Sequence, residues 1–154
     1  MTTEQIKIIR ATFSRLEAAA GVASLIFYQR LFTLDPSLRP LFRNDIEEQG
    51  KKLMLSLRYI VDTLETPQAL VPALESLGRR HVTYGVREEH YKTVGTALLN
   101  MMERMLGAAF TSEARAAWTV AYANVANVMK SAAAMVPSMD SQNQLNLARS
   151  KPSA

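Results

Sequence analysis

Apolar residues recur every three or four positions along most of the chain, which is the period of amphipathic helices. The first two such stripes run through Ile6 to Leu16 and through Val22, Leu25, Phe27, Tyr28 and Leu31. No segment alternates between polar and apolar residues in the manner of a strand, and no internal repeat is found. The pattern predicts an all-α fold.

Capping residues and prolines divide the pattern into separate helices. Thr2 with Gln5 predicts a capping box at the first helix, and Asp35-Pro36 predicts the start of a short helix ending near Phe42. A long helix is predicted from Asp45, and others after Thr66-Pro67, after Arg87 and from Thr111, the last one ending by Pro137. Residues 138–154 lack aromatics and a sustained apolar period, so we expect a folded domain over 1–137 and a disordered tail.

The composition limits the classes of function. A chain of 154 residues with 48% hydrophobic and 21% charged residues predicts one globular domain. With no cysteine, the chain excludes disulfides, thiolate metal sites and haem attached through cysteine. The charges that sum to +4 are intermixed, which argues against nucleic-acid binding. No bilayer-spanning run or signal sequence is recognised, so we expect a cytoplasmic protein without membrane contact.

Three polar residues interrupt the apolar stripes and are expected to point inward: Tyr28, Gln49 and His81. Each alone is usually a hydrogen-bonded core residue. A single histidine cannot hold a free metal ion, because a stable zinc site uses about three or four protein ligands, whereas an iron held by four porphyrin nitrogens needs only one. His90, nine residues from His81, is expected at the surface or at a haem edge.

Ordered motifs carry a family resemblance over residues 1–137. The motifs are FYQRLF, DPSLRPLF, EQGKKLM, LGRRHVTYGV, HYKTVG and AAWTVAY. In these motifs the sequence resembles bacterial single-domain globins and the globin domain of flavohaemoglobins. The resemblance implies a globin fold, a sandwich of three helices over three, enclosing iron protoporphyrin IX (haem b).

The resemblance also implies roles for residues that contact the iron, the porphyrin face and the bound ligand. His81 is similar to the proximal iron ligand, and Phe42 to the aromatic residue that packs on the porphyrin face. Tyr28 and Gln49 resemble the distal pair that hydrogen-bonds to a bound ligand, with either residue also able to reach ferric iron. Leu53 would limit the volume of the pocket.

Further roles are implied around the haem edge and on the proximal side. Lys52 and Arg80 could pair with propionates, and Val86, Tyr91 and Val94 resemble the apolar proximal wall, with Met129 at its far end. Flavohaemoglobins join a glutamate on the last helix to the tyrosine and the proximal histidine. The corresponding residue here is Ala133, so a strong electron push onto the iron is not expected.

Several functions are compatible with these features. The first is reversible binding of dioxygen or another diatomic ligand such as nitric oxide, with high affinity and slow release, as in oxygen-transport globins. The second is nitric oxide dioxygenase activity supported by a separate reductase, and the third is a haem-based sensor of redox state, sulfide or nitric oxide. A helical bundle without a cofactor is the alternative to all three. We expect a monomer or weak homodimer.

Overall fold

The computed structural model describes residues 1–137, and every regular element within them is helical. The α-helices are α1 (Thr3–Glu17), α2 (Ala20–Leu34), α3 (Ile46–Asp62), α4 (Pro67–Thr83), α5 (Glu88–Leu106) and α6 (Ser112–Ala134), with short 3₁₀ turns at Pro36–Leu41 and Gly107–Ala109. None of the described helices combines the length and hydropathy needed to cross a bilayer. The tail predicted to be disordered, 138–154, lies outside the described residues.

The predicted helix boundaries are largely confirmed, because the side chains that cap them are present. Thr2 and Gln5 form a reciprocal capping box at α1. The Asp35 carboxylate accepts a hydrogen bond from the Ser37 amide at 3.1 Å, and the Thr111 hydroxyl accepts one from the Ala114 amide at 3.1 Å. The prediction of a side-chain cap at Thr66 is wrong, since its hydroxyl makes no capping bond and the helix begins on proline alone.

The helices form two layers, with α1, α3 and α4 lying over α2, α5 and α6. Across the layers, α4 packs along α6, α3 packs along α2 and α1 packs on α6. Although α3 and α4 are consecutive, they do not pack along each other within the described residues. The helix with Gln49 therefore packs mainly on α2, and the helix with His81 packs mainly on α6.

Glycines allow the two closest crossings. A Cβ at Gly78 in α4 would lie 2.8 Å from the Cα of Met129 in α6, and a Cβ at Gly50 in α3 would lie 2.8 Å from the Cβ of Ser24 in α2. The crossing at Ser24 also corrects the predicted stripe of α2. Val22 and Leu25 were expected inward but are 55% and 51% exposed, because the small residues of α2 take the face against α3.

The crossing at Gly78 predicts a specific loss of stability. In Gly78→Ala, the added methyl group meets backbone atoms of Met129, which cannot rotate away, so we expect the free energy of unfolding to fall by about 1–3 kcal/mol. The matched control is Gly21→Ala in α2, where nothing lies within 4 Å of the added Cβ and a gain of up to about 1 kcal/mol is expected. Denaturant unfolding measures both; equal stabilities for the two variants would contradict the close crossing.

Candidate functional site

His81 lies near the end of α4 with a fixed ring orientation. Its Nδ1 is 2.8 Å from the carbonyl oxygen of Leu77. A carbonyl can only accept a hydrogen bond, so Nδ1 carries the proton and Nε2 keeps a lone pair. Burial lowers the pKa of His81. The hydrogen bond to the Leu77 carbonyl raises this pKa and the Arg80 charge lowers it, so that the net shift is downward. The ring is therefore a neutral imidazole whose Nε2 can ligate a metal.

Tyr91 packs beside His81 on α5. Their ring centroids are 6.4 Å apart with an interplanar angle of 28°. The Tyr91 backbone is held from α6, since the hydroxyl of Tyr122 donates to its carbonyl oxygen. The Tyr91 hydroxyl itself has no hydrogen-bond partner among the described residues, and burial raises its pKa. Val86 is half-buried, and its amide donates to the backbone carbonyl of His81 at 3.0 Å, so two of the three residues predicted for the proximal wall lie beside His81.

Tyr28 is a buried phenol on α2, only 4% exposed. Its hydroxyl donates to the backbone carbonyl of Gln49 at 3.3 Å, a long hydrogen bond. Burial raises the pKa of Tyr28 to about 12, so the hydroxyl stays protonated throughout the neutral range. The two predicted distal residues are thus adjacent, but through the backbone of Gln49, whose side chain is half-buried at the start of α3.

The Tyr28 ring packs against two phenylalanine rings, and the three rings form a triangle. Ring centroids of Tyr28 and Phe42 are 5.3 Å apart, those of Phe32 and Phe42 are 5.5 Å apart, and those of Tyr28 and Phe32 are 5.9 Å apart. Arg39, which the sequence analysis did not single out, lies with its guanidinium 5.4 Å from the Phe32 ring and donates to the Phe42 carbonyl at 3.0 Å. Arg39 therefore fixes the turn that presents Phe42 to Tyr28.

The other predicted residues differ in burial. Leu53 and Val94 are half-buried at the edge of the main apolar cluster. Met129 is buried in the smaller cluster, where α6 crosses α4. Lys52 and Arg80 are exposed, and neither takes part in an ion pair with a described residue.

The expected surface position of His90 is wrong, whereas its position relative to a haem edge stays a prediction. His90 is 5% exposed, and its Nδ1 accepts a hydrogen bond from the Arg87 amide at 2.9 Å. Because the amides of a helix's first turn have no partner within the helix, a side-chain acceptor three residues on can satisfy one of them. His90 thus caps α5 and belongs to the framework of the fold. The sequence signal for this role was its place three residues after Arg87.

The available donors fit a cofactor that brings its own metal ligands. Within residues 1–137 no group of three or more His, Cys, Asp or Glu residues could hold a bare metal ion. His81 offers one oriented Nε2, and half-buried apolar side chains, Phe42, Leu53 and Val94, lie at the edge of the core. A single axial nitrogen beside apolar surface is what an iron porphyrin requires.

The comparisons with known proteins decide the family. The model of the globin family matches residues 25–129. The chain belongs to the globin family. This confirms the resemblance on which the site residues were assigned and the all-α globin fold, and membership in the family implies a haem cofactor.

The relatives of this globin include larger proteins. The chain is 31% identical over 131 residues to a flavohemoprotein of Vibrio cholerae and 32% identical over 133 residues to one of Rhizobium meliloti, matches that cover 83% and 84% of this chain. The chain spans about a third of the length of these curated relatives, 33% in each case.

Two solved structures are similar along nearly their whole length. A bacterial globin from Campylobacter jejuni has a TM-score of 0.75 and 27% identity, covering 86% of this chain and 96% of that one. A carbene transferase engineered from a proposed nitric oxide dioxygenase of Rhodothermus marinus has a TM-score of 0.78 and 26% identity, covering 96% of this chain and 99% of that one.

Burial of the Tyr28 phenol predicts a pH-dependent stability. The unfolded chain loses this proton near pH 10, whereas the folded globin holds it to about pH 12, so stability is lost as the pH rises between these values. At pH 11 the loss due to Tyr28 is about 1.4 kcal/mol. Between pH 9 and pH 11, the free energy of unfolding measured with urea should therefore fall more for the wild type than for Tyr28→Phe. The control is Tyr59→Phe, at a 45% exposed position, which should keep the wild-type decline; an equally steep decline in Tyr28→Phe would contradict the prediction.

Proposed function

We propose that this globin binds haem b through His81 Nε2 and reversibly binds dioxygen, or another diatomic ligand such as nitric oxide, with high affinity and slow release. The observation that carries the proposal is the orientation of His81, whose proton is committed to Leu77 at 2.8 Å. Haem would supply the iron atom that binds the diatomic ligand, and His81 would hold that iron. The hydrogen bond to Leu77 keeps the ring in the ligating tautomer and makes Nε2 the better donor.

The distal donors would set the affinity. The Tyr28 hydroxyl is protonated at every physiological pH, and its long bond to the Gln49 carbonyl is weak enough to be exchanged for one to a bound ligand. A hydrogen bond to a partly negative ligand contributes about 1.5–3 kcal/mol. The Gln49 amide would be the second donor, and Leu53, one helical turn further along α3, would restrict the space for larger ligands.

The haem would be held mainly by apolar contact. Phe42 at the turn fixed by Arg39 would pack on the porphyrin face, and Val86, Tyr91 and Val94 would form the proximal wall. Lys52 and Arg80 are exposed cations without a carboxylate partner among the described residues, which suits them to the two propionates. The cytoplasmic location and the monomeric or weakly dimeric state stay predictions.

Nitric oxide dioxygenase activity is the second candidate, with electrons from a reductase. It is favoured by the 31% identity to a flavohemoprotein and by the similarity to the structure derived from a proposed nitric oxide dioxygenase. Against efficient turnover stands Ala133, because no carboxylate among the described residues meets the Tyr91 hydroxyl. Sustained nitric oxide consumption with excess reductant would favour the enzyme, whereas a carrier reacts once and stays ferric.

Removal of the distal hydroxyl tests the proposal. In Tyr28→Phe we expect dioxygen to dissociate about ten- to a hundredfold faster, since a charge-assisted hydrogen bond is lost. Stopped-flow displacement of dioxygen by carbon monoxide measures the rate. Tyr59→Phe, a change of the same size at an exposed tyrosine, should leave the rate unaltered. An unchanged rate in Tyr28→Phe would exclude its hydroxyl as the donor.

The role of His81 is tested separately by rescue. In His81→Gly the axial nitrogen is removed, so the absorption spectrum of the ferrous protein should lose the features of histidine ligation, and added imidazole should restore them. A spectrum that His81→Gly leaves unchanged would assign the ligand to another residue. Absence of a Soret band from the wild type, even after haem is supplied, would overturn the whole proposal.

A further inference from the structure

A pocket lies behind His81, on the side of α4 that faces α5 and α6. Its volume is about 300 Å³, or roughly ten water molecules at about 30 Å³ each. Part of its wall is apolar and comes from the end of α4 with the following turn, Val82 and Val86, and from the last turns of α6, Ala133 and Ala134. The two alanines leave room because neither carries more than a methyl group.

Tyr91 forms part of the same wall and is the one polar group there that is fully buried. Its side chain is 7% exposed, and its hydroxyl, with less than 1 Å² accessible, finds no hydrogen-bond partner among the described residues. The other buried phenols are satisfied: Tyr28 donates to Gln49 and Tyr122 donates to Tyr91. An unpartnered buried hydroxyl costs about 1–3 kcal/mol, so a ligand that accepts its proton would be favoured here.

The remaining polar side chains of the pocket are charged, two positively and one negatively. Lys130 is half-buried on α6, and it pairs with no carboxylate among residues 1–137. Arg87 is 3.3 Å from Glu89, and Glu88 is the single carboxylate in the lining. A hydroxyl, an ammonium and a guanidinium are all donors, so the complementary group is an acceptor with negative charge.

We propose that this pocket binds a short-chain carboxylate. The carboxylate would accept hydrogen bonds from the Tyr91 hydroxyl and Lys130, with Arg87 nearby, and the aliphatic chain would lie along Val82 and Val86. The volume suits a ligand of a few carbon atoms and exceeds what a bare inorganic anion fills, and the apolar wall favours a hydrocarbon tail. The pocket shares Val86 and Tyr91 with the proposed proximal wall of the haem, but carboxylate binding is measured directly and does not depend on the binding of dioxygen.

A series of straight-chain carboxylates tests the site on the purified protein. Acetate, butyrate and hexanoate are titrated at constant ionic strength, and the thermal midpoint and the chemical shift of tyrosine labelled at Cζ with ¹³C are recorded. We expect saturable binding that tightens about fourfold per added CH₂ until the pocket is full, with the shift change confined to Tyr91. Sulfate at the same ionic strength should give no shift at Tyr91.

Variants separate this site from adventitious binding. Lys130→Met and Tyr91→Phe should each weaken butyrate binding by about tenfold or more, because each removes one hydrogen bond to a charged group. Ala133→Glu should abolish it by placing a carboxylate of the chain in the pocket, and Glu88→Gln should strengthen it. The matched control is Lys92→Met, an exposed lysine of α5 outside the lining, which should bind as the wild type does.

Three results would overturn the proposal. The first is the absence of saturable binding, which would indicate that the pocket is filled by water only. The second is equal affinity for sulfate and for all carboxylates, which would indicate a general anion site. The third is wild-type affinity in both Lys130→Met and Tyr91→Phe, which would place the ligand elsewhere. All three outcomes are read from carboxylate binding, whereas the proposed haem function is read from the Soret band and the dioxygen off-rate of the wild type, so the two failures are distinguishable.

Discussion

The arrangement depends on two close helix crossings that hold α3 and α4 to different partners. Gly78 lets the α4 backbone reach the α6 backbone at Met129, and Gly50 lets α3 reach α2 at Ser24. Because packing energy is gained along these two pairs, α3 and α4 need not close on each other. A side chain at either glycine would therefore shift α3 or α4 relative to its partner helix before it touched any ligand.

Burial acts on the two functional side chains in the same direction, favouring the neutral form of each. Desolvation keeps His81 an imidazole, which has the lone pair that a metal needs, and keeps Tyr28 a phenol, which has the proton that a distal donor needs. Neither state requires a charged partner. The site is therefore prepared mainly by an apolar surrounding and two backbone carbonyls, those of Leu77 and Gln49, with a smaller contribution from the Arg80 charge at His81.

The sequence predicted the helices because periodicity and caps are local properties, and it predicted the family through the resemblance of its ordered motifs. It also predicted that Tyr28 and Gln49 would be neighbours, but not that the contact would use the Gln49 backbone, since that depends on the angle at which α2 crosses α3. Arg39 was missed because its partner is an aromatic ring reached only when the short turn folds. Leu25 was predicted to be buried but is exposed, because a prediction from hydrophobicity alone does not account for small residues. In α2 the buried positions are taken by Ala23 and Ser24, which allow closer packing.

The absence of a carboxylate at Ala133 has two separable consequences. One is local: the buried Tyr91 hydroxyl has no acceptor among the described residues, which costs about 1–3 kcal/mol. The other concerns His81, whose ring centroid is 6.4 Å from that of Tyr91 and whose Nδ1 donates to the neutral carbonyl of Leu77. A carbonyl withdraws less proton density from Nδ1 than a carboxylate does, so the imidazole stays a weaker donor. In the proposed haem site, a weaker proximal donor would leave ligand retention to the Tyr28 hydroxyl, which would favour reversible binding over oxidative turnover.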